Sequence, residues 1–271
     1  MEQNTLFKLR KIQLELLDEF VCICKANNLS YFLTAGTLIG AVRHNGYIPW
    51  DDDIDIAMSR EDYEKFIDIC EVKDETNYYI LSNRSPGNYK LDYRSYAKFC
   101  KKGTVYAENI KNNDCYPGIF IDIWPYDKSF YPFIPIQREL IIFIWDLYCR
   151  LKRNIDKKQK DYKNILARIF CIIIPIKIID IMHKKLYVIF NKSKAKSISF
   201  FSGRYNYKRE SHKYNILFPL LKMEFEGKHY CVPNNWDLFL KKMYGNYMEL
   251  PPVEKQVSHH FSNYITFNDS E

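Results

Sequence analysis

The chain has 271 residues, a formal net charge of +7, 47% hydrophobic residues and 16% aromatic residues. This composition excludes a disordered or low-complexity chain, and the length suits one large domain or two small ones. The eight cysteines are scattered without a CxxC pair, and the N-terminus does not form a secretory signal, so we expect reduced thiols in the cytoplasm. A zinc site built from distant cysteines is the alternative interpretation.

Hydrophobic periodicity and breaker residues predict alternating helices and strands in the first half of the chain. The expected elements are a helix over 5–26, a strand over 29–34, a helix over 37–44, a loop over 45–50, a strand over 53–58 and a helix that starts at Ser59. Ser59 and Asp62 form a pattern similar to a capping box, which favours a helix N-terminus at this point.

The second half of the chain continues with strands and then longer helical patterns. The expected elements are strands over 78–82, 91–100 and 118–127, helices over 137–153 and 160–190, a strand over 228–233 and a helix over 234–245. Strands interleaved with helices predict an α+β fold. We divide it into a catalytic core (1–128), a helical, basic insertion (129–225) and a C-terminal segment that packs back on the core (226–271).

Positive charge is concentrated in residues 150–213, where 18 Lys and Arg face 4 Asp and Glu. This segment has a net charge of +14 and leaves −7 for the rest of the chain. The imbalance indicates either an anionic partner or a solvated lysine-rich face. The apolar run 165–182 contains charged residues and a proline, so it predicts a membrane-interface helix or a kinked buried helix and not a membrane span. No nucleic-acid-binding module is recognisable, and we expect no nucleic-acid partner.

Four acidic residues lie within five positions at the start of the strand predicted over 53–58. Asp51, Asp52, Asp53 and Asp55 would repel one another at the edge of a core, and a divalent cation would remove that cost. Asp53 and Asp55 share one face of a strand, and carboxylates suit Mg²⁺, with Mn²⁺ as the alternative ion. Asp122 lies between two isoleucines on another strand and is expected as the third ligand, or as the base that deprotonates an acceptor hydroxyl.

Gly36 and Thr37 precede a short predicted helix, whose N-terminal amides can hold phosphate oxygens. A single Asp-x-Asp is also typical of a solvated strand edge. A phosphate-binding turn, a pair of acids and a third acid together indicate metal-assisted phosphoryl chemistry. Asp51 and Asp52 are expected to support the site indirectly, through hydrogen bonds to its residues or by fixing the conformation of the loop.

At these residues the chain resembles the LicD family, which is related to the fukutin-type proteins. The resemblance rests on residues 33–58 and 117–127, and more weakly on 244–252, whereas 129–225 matches no known motif. It implies a nucleotidyltransferase-like fold, in which helices flank a mixed sheet and a helical insertion follows. The family pattern of Gly-Ser/Thr, Asp-x-Asp and a later Asp falls on the residues already singled out: Gly36, Thr37, Asp53, Asp55 and Asp122. Thr37 replaces the more usual serine, and the spacer to Asp53 is long.

The resemblance implies metal-dependent transfer of a phospho-alcohol, phosphocholine first, from a CDP-linked donor. The acceptor would be a hydroxyl of a cell-surface glycan, a lipid-linked glycan or a teichoic acid precursor, and CMP would be released. Such an enzyme is expected in the cytoplasm, either free or in peripheral contact with the cytoplasmic face of the membrane. The alternatives are a nucleotide-sugar glycosyltransferase that uses the Asp-x-Asp metal site and an inactive scaffold in glycan assembly.

Further polar and aromatic residues are candidates for substrate contacts. The candidate substrate-binding residues are Gly36, Thr37, Arg43, Asp52, Arg94 and Lys98. Arg94 and Lys98 share a strand face and can neutralise the leaving group, although an ordinary polar sheet face is equally consistent. The less specific candidates are His44 for phosphate, Trp50 and Trp124 for a quaternary ammonium or for packing, and His259 and His260 for the acceptor.

Overall fold

A computed structural model describes residues 3–72, 77–85, 96–107, 118–156, 175–203, 205–258 and 264–267. The chain forms two compact units. The first comprises Met1–Tyr126 with Tyr214–Glu271, and the second comprises Asp127–Lys213. The insertion predicted over 129–225 therefore covers most of the second unit and extends into the first.

The first unit contains most of the strands. Its elements are α1 (Gln3–Ala26), β1 (Tyr31–Leu33), α2 (Ala35–His44), β2 (Asp55–Ser59), α3 (Arg60–Val72), β3 (Tyr78–Leu81), β4 (Ala97–Lys101), β5 (Val105–Ala107) and β6 (Phe120–Ser129). After the second unit, which contains α4–α6, β7 and β8, the first unit resumes with α7 (Tyr214–Leu217), β9 (Leu221–Phe225), β10 (Lys228–Val232), α8 (Trp236–Tyr244) and β11 (Tyr264–Thr266).

The central sheet of the first unit has the strand order β1-β2-β6-β4-β3. β2 and β6 are parallel, and the other neighbours on this path are antiparallel, so the sheet is mixed. β9 pairs with β10, and β5 pairs with β11, in two further antiparallel ladders. The predicted α+β class, with a mixed sheet flanked by helices, is confirmed.

Aromatic side chains join α1 and α3 to the sheet. The ring of Phe20 lies 5.3 Å from that of Tyr31 and 4.8 Å from that of Phe66. Phe66 in turn lies 5.6 Å from Phe99 of β4. Pairs of aromatic rings at such separations stabilise a core beyond the area that they bury. The two helices therefore fix the edge and the centre of the sheet that carries the acidic residues.

The structure differs from the predictions mainly at strand boundaries. β2 begins at Asp55, so Asp53 belongs to the irregular segment before the strand and not to the strand itself. The predicted cap of α3 is confirmed, because the Ser59 hydroxyl accepts a hydrogen bond from the Asp62 amide at 3.2 Å. Five short strands, β5, β7, β8, β9 and β11, were not predicted. Residues 91–95 of one predicted strand and 160–174 of one predicted helix lie outside the described residues.

The second unit is built around two long helices. Its elements are α4 (Ile134–Asp156), α5 (Ile176–Val188), β7 (Ser197–Ser199), α6 (Tyr207–Glu210) and β8 (Ser211–Lys213). β7 pairs with both β8 and the last residues of β6, so this part of the chain also contains strands. Among the described residues, no helix is long and apolar enough to cross a membrane.

Candidate active site

The sheet register brings together three charged residues from three strands. Asp55 of β2 is the partner of Asp122 of β6, and Asp122 is also the partner of Lys98 of β4. Partners on adjacent strands point to the same face, so these three side chains share one face of the sheet. The Lys98 ammonium lies 3.1 Å from Asp122 Oδ1, and both side chains are buried. Lys98 therefore forms a buried ion pair with Asp122.

The apolar residues beside the acids explain why the carboxylates face this way. Ile54, Ile56, Ile121 and Ile123 are completely buried on the opposite side of the two strands. Because side chains alternate along a strand, burial of the isoleucines turns the intervening acidic residues to the other face. Burial of these isoleucines thus orients the site.

Asp51, Asp52 and Asp53 form a second group of acids beside the first. One carboxylate oxygen from each of the three residues lies within 4.8 Å of those from the other two. Burial raises the pKa of Asp51 well above its ordinary value, and the charges of Asp53 and Asp55 and a hydrogen bond to Asp53 raise it further. Crowded carboxylates with such a pKa shift are in a site that a divalent cation would stabilise. These residues therefore fit a hard metal ion.

Helix α1 holds the backbone of this acidic loop. The Arg10 guanidinium donates to the carbonyl oxygen of Asp51 at 2.7 Å and to that of Ile48 at 2.8 Å. Gln13 is buried and donates to the carbonyl oxygen of Asp52 at 2.8 Å. The sequence analysis missed both contacts, although a glutamine on the apolar face of a predicted helix was a signal that it has a polar partner.

The carboxylate of Asp52 accepts hydrogen bonds from two hydroxyl groups. The Tyr106 hydroxyl donates at 3.0 Å, and the Ser258 hydroxyl also donates to the same oxygen. These contacts connect the acidic loop to β5 and to the C-terminal part of the first unit. They hold the Asp52 side chain in the loop, while its predicted substrate contact stays a prediction.

Two further side chains set the position of Asp55. The Trp124 indole N–H donates to Asp55 Oδ1 at 2.7 Å, and the Trp124 ring lies 4.3 Å from that of Tyr96. The Asp55 amide donates to the Thr37 hydroxyl at 2.8 Å, which ties the start of α2 to the start of β2. Trp124 follows Asp122 by two residues on the same strand, and that spacing was the sequence signal for a shared face.

The N-terminus of α2 faces the acidic loop. Gly36 and Thr37 lie in its first turn, and the side chain of the N-cap residue Thr34 makes no capping hydrogen bond. A Cβ atom on Gly36 would lie only 2.6 Å from Asp51 Oδ2. A glycine is needed here because the carboxyl group of Asp51 approaches the helix backbone so closely.

The sequence model described as LicD/FKTN/FKRP, nucleotidyltransferase domain, matches residues 28–170, a range that contains all of these acids. The chain belongs to the LicD family. It is 28% identical over 280 residues to the lipopolysaccharide cholinephosphotransferase LicD of Haemophilus influenzae, with 96% of this chain and 97% of that protein covered. It is also 32% identical over 136 residues to the uncharacterized protein RP689 of Rickettsia prowazekii, with 47% of this chain and 44% of that protein covered. The predicted enzyme class, a LicD-type phosphotransferase, is confirmed.

Two segments of this LicD-family chain that carry the family resemblance, 33–58 and 244–252, meet at Arg43. Its guanidinium donates to the carbonyl oxygen of Tyr247 at 2.9 Å and to His44 Nε2 at 2.9 Å. Burial lowers the pKa of His44, and the Arg43 charge lowers it further. Arg43 thus connects α2 to the C-terminal segment 244–252, while its predicted phosphate contact stays a prediction.

The remaining predicted residues are not described or have no assigned contact. Arg94, His259 and His260 lie outside the described residues, and Trp50 is half-buried. Among the described side chains, five cysteines are free thiols: Cys22, Cys24, Cys70, Cys100 and Cys231. Within the described part of the chain, the only His, Cys, Asp and Glu cluster suited to a metal is the Asp51–Asp53 group.

Proposed function

We propose that the chain transfers phosphocholine, or a related phospho-alcohol, from a CDP-linked donor to a hydroxyl of a cell-surface glycan or a teichoic acid precursor. The observation that carries this proposal is the near full-length similarity to a lipopolysaccharide cholinephosphotransferase, together with the register that pairs Asp55 with Asp122. CMP is the second product. A lipid-linked acceptor would place the enzyme at the cytoplasmic face of the membrane.

Asp53, which lies in the crowded group with Asp51 and Asp52, would hold the metal ion together with Asp55, the acid of β2 whose charge also acts on Asp51. Mg²⁺ is the ion that best suits a carboxylate set, and Mn²⁺ is the second candidate. When bound, the ion neutralises the negative charge of the donor pyrophosphate. The crowding of Asp51 against Asp53, and the raised pKa of Asp51, support a cation at this point.

Asp122 is the proposed base. It takes the proton of the acceptor hydroxyl while the hydroxyl oxygen forms a bond to the phosphorus of the phosphocholine group. The bond between that phosphorus and the bridging oxygen of CMP breaks, and CMP leaves with the electron pair. The Lys98 ammonium lies 3.1 Å from Asp122 Oδ1 and holds its carboxylate in place.

Thr37 and the first turn of α2 are the proposed phosphate-binding elements. The Thr37 hydroxyl accepts the Asp55 amide hydrogen, so its own proton can be donated to a phosphate oxygen. The amides at the N-terminus of α2 provide further donors. In this arrangement the phosphate oxygens would bind between the helix end and the acidic loop.

The Asp55→Asn variant tests this proposal. We expect Mg²⁺-dependent CMP release from CDP-choline to fall by more than about a hundredfold, because the variant loses a charged ligand. The thermal midpoint should not fall, since the substitution relieves repulsion among the acids. The matched control is Asp68→Asn, which removes an exposed carboxylate far along α3 and should keep its activity. Full activity of Asp55→Asn would refute the metal assignment.

Mass spectrometry of the product separates the rival functions. A phosphotransferase adds a phosphodiester-linked alcohol to the acceptor, whereas a glycosyltransferase adds a sugar. An inactive scaffold would give no product with any CDP-alcohol or nucleotide sugar. The acceptor mass after parallel incubations with a CDP-alcohol and with a nucleotide sugar, each with Mg²⁺, therefore decides among the three.

A further inference from the structure

Both long helices of the second unit carry a stripe of exposed apolar residues. On α4 the stripe consists of Ile136, Leu140 and Phe143, at the i, i+4 and i+7 positions, and Phe143 is 61% exposed. On α5 it includes Ile178 and Met182, again four residues apart. Residues at this spacing lie on one side of a helix. Exposed aliphatic and aromatic side chains in such rows are unusual on a protein surface that contacts only water.

The two stripes lie on the same side of the helix pair. The end of α4 packs on the start of α5 through Leu147 and Ile179, and the start of α4 packs on the end of α5 through Ile141 and Tyr187, so the helices are antiparallel. On each helix, every residue of the stripe directly precedes a buried residue. In each helix the stripe is therefore rotated by one residue from the face that contacts the other helix. Because the two helices are antiparallel, the same rotation places both stripes on the same side of the helix pair. Together they form one apolar face, and the exposed Asp146, three residues after Phe143 and directly before the buried Leu147, marks its end on α4.

The charges around this face are mixed on α4, where Glu139 and Asp146 are exposed, and mainly positive on α5 and after it. Lys185 is exposed and lies three residues after Met182, within the α5 stripe. Lys192, Lys194 and Lys196 are exposed in the segment that follows α5. The sequence contains no acidic residue between Asp180 and Glu210. From α5 onward, the apolar face is thus accompanied by cations and by few anions.

We propose that this face, formed by Ile136, Leu140 and Phe143 of α4 and by Ile178, Met182 and Lys185 of α5, binds the surface of an anionic lipid membrane. Apolar side chains beside lysines suit the boundary between acyl chains and negatively charged headgroups. A second copy of the chain fits less well, because a two-fold contact would bring the same lysine-rich surfaces against each other. This inference is independent of the reaction proposed above.

Sedimentation with lipid vesicles tests the proposal on the full chain. The wild-type protein should bind vesicles of phosphatidylcholine and phosphatidylglycerol, should bind phosphatidylcholine alone weakly, and should be released by added salt. Phe143→Glu should weaken binding to the anionic vesicles by about tenfold or more, because it puts a carboxylate into the acyl boundary. Lys185→Gln should weaken it by about fivefold.

Phe7→Glu is the matched control, since Phe7 is 71% exposed on α1 of the first unit. This variant should bind vesicles as the wild type does, and circular dichroism should show the same thermal midpoint for all three variants. Wild-type protein that does not bind anionic vesicles, or Phe143→Glu that binds as well as the wild type, would overturn the proposal. A wild-type dimer that Phe143→Glu converts to a monomer, without vesicle binding, would assign the face to self-association instead.

Discussion

Asp51 has an environment that its position in the sequence does not reveal. It is buried, forms a hydrogen bond with Asp53 and lies against the first turn of α2. A raised pKa means that ionisation of this buried acid costs more free energy in the folded state than in the unfolded state. In the absence of a cation, Asp51 therefore destabilises the fold at neutral pH.

We expect Asp51→Asn to raise the thermal midpoint of the metal-free protein. Because the folded-state pKa of Asp51 is raised, the gain should be present above the ordinary pKa of an aspartate and should vanish in acid, where both states are protonated. The shift of the midpoint on addition of Mg²⁺ should be smaller than in the wild type. Differential scanning fluorimetry with and without Mg²⁺ measures both effects, and an unchanged Mg²⁺ response would remove Asp51 from the metal site.

The ion pair of Lys98 and Asp122 is the second feature at the scale of single residues. Lys98→Met removes the buried cation and should cost about 3–5 kcal/mol in the free energy of unfolding, because Asp122 then remains as an uncompensated buried charge. Urea denaturation measures the loss. Lys98→Met combined with Asp122→Asn should recover much of the stability but no activity. If the double variant were as unstable as the single one, the loss would come from packing around the Lys98 side chain.

At the scale of secondary-structure elements, α2 and the loop that follows it position the acids. Asn45 ends the helix in a left-handed conformation, with φ of 52°. The chain then turns back so closely that a Cβ atom on Gly40 would overlap the carbonyl oxygen of Gly46 and lie 3.2 Å from the Ile48 nitrogen. Close contact between helix and loop fixes the path of the chain into the acidic segment.

Gly40→Ala should therefore destabilise the protein, although glycine to alanine in a helix interior ordinarily stabilises by about 1 kcal/mol. We expect a loss of about 1–3 kcal/mol, because the added methyl group meets backbone atoms that cannot rotate away. Urea denaturation and CMP release should both be measured, since displacement of the loop would also lower activity. A Gly40→Ala variant that is more stable than the wild type would show that the loop backbone moves to accommodate the added methyl group at little cost in free energy.

The elements with strong local signals were predictable, and those defined by distant partners were not. The spacing of apolar residues predicted α1 and α3, and the Ser59 cap marked the start of α3 correctly. The start of β2 was misplaced because Asp53 continues the alternation of acidic and apolar residues without strand pairing. β5 is too short for periodicity to show it, and it depends on its pairing with β11, far along the chain.

At the scale of the whole molecule, the second unit contains a buried acid that should control its response to pH. Glu210 is buried, and its carboxyl group accepts a hydrogen bond from the Tyr205 amide at 3.0 Å. Burial raises the pKa of Glu210 to about 7, although the Tyr205 amide and the Arg138 charge oppose this shift. The unfolded chain ionises at the ordinary glutamate pKa, so stability should fall as pH rises from the unfolded to the folded pKa.

Glu210→Gln should remove this loss. The variant should match the wild type in acid and should exceed it above neutral pH by about 3 kcal/mol, because a neutral amide has no ionisation to suppress. Urea midpoints across this pH range measure the difference. Glu139→Gln, an exposed substitution on α4, is the control and should leave the pH profile unchanged. A Glu210→Gln profile parallel to that of the wild type would contradict the raised pKa.

The sequence by itself determined the α+β class, the acidic residues of the site and the family, because alternating isoleucines and the Asp-x-Asp pattern are local signals that a few neighbouring residues contain. Only the tertiary structure decided which charged side chains lie in contact and which partners they have. The pairing of Lys98 with Asp122, the hydrogen bond from Trp124 to Asp55 and the burial of Asp51 depend on strand order and on contacts between distant segments. Those contacts form between residues that are far apart in the sequence, so no short stretch of sequence is sufficient to predict them.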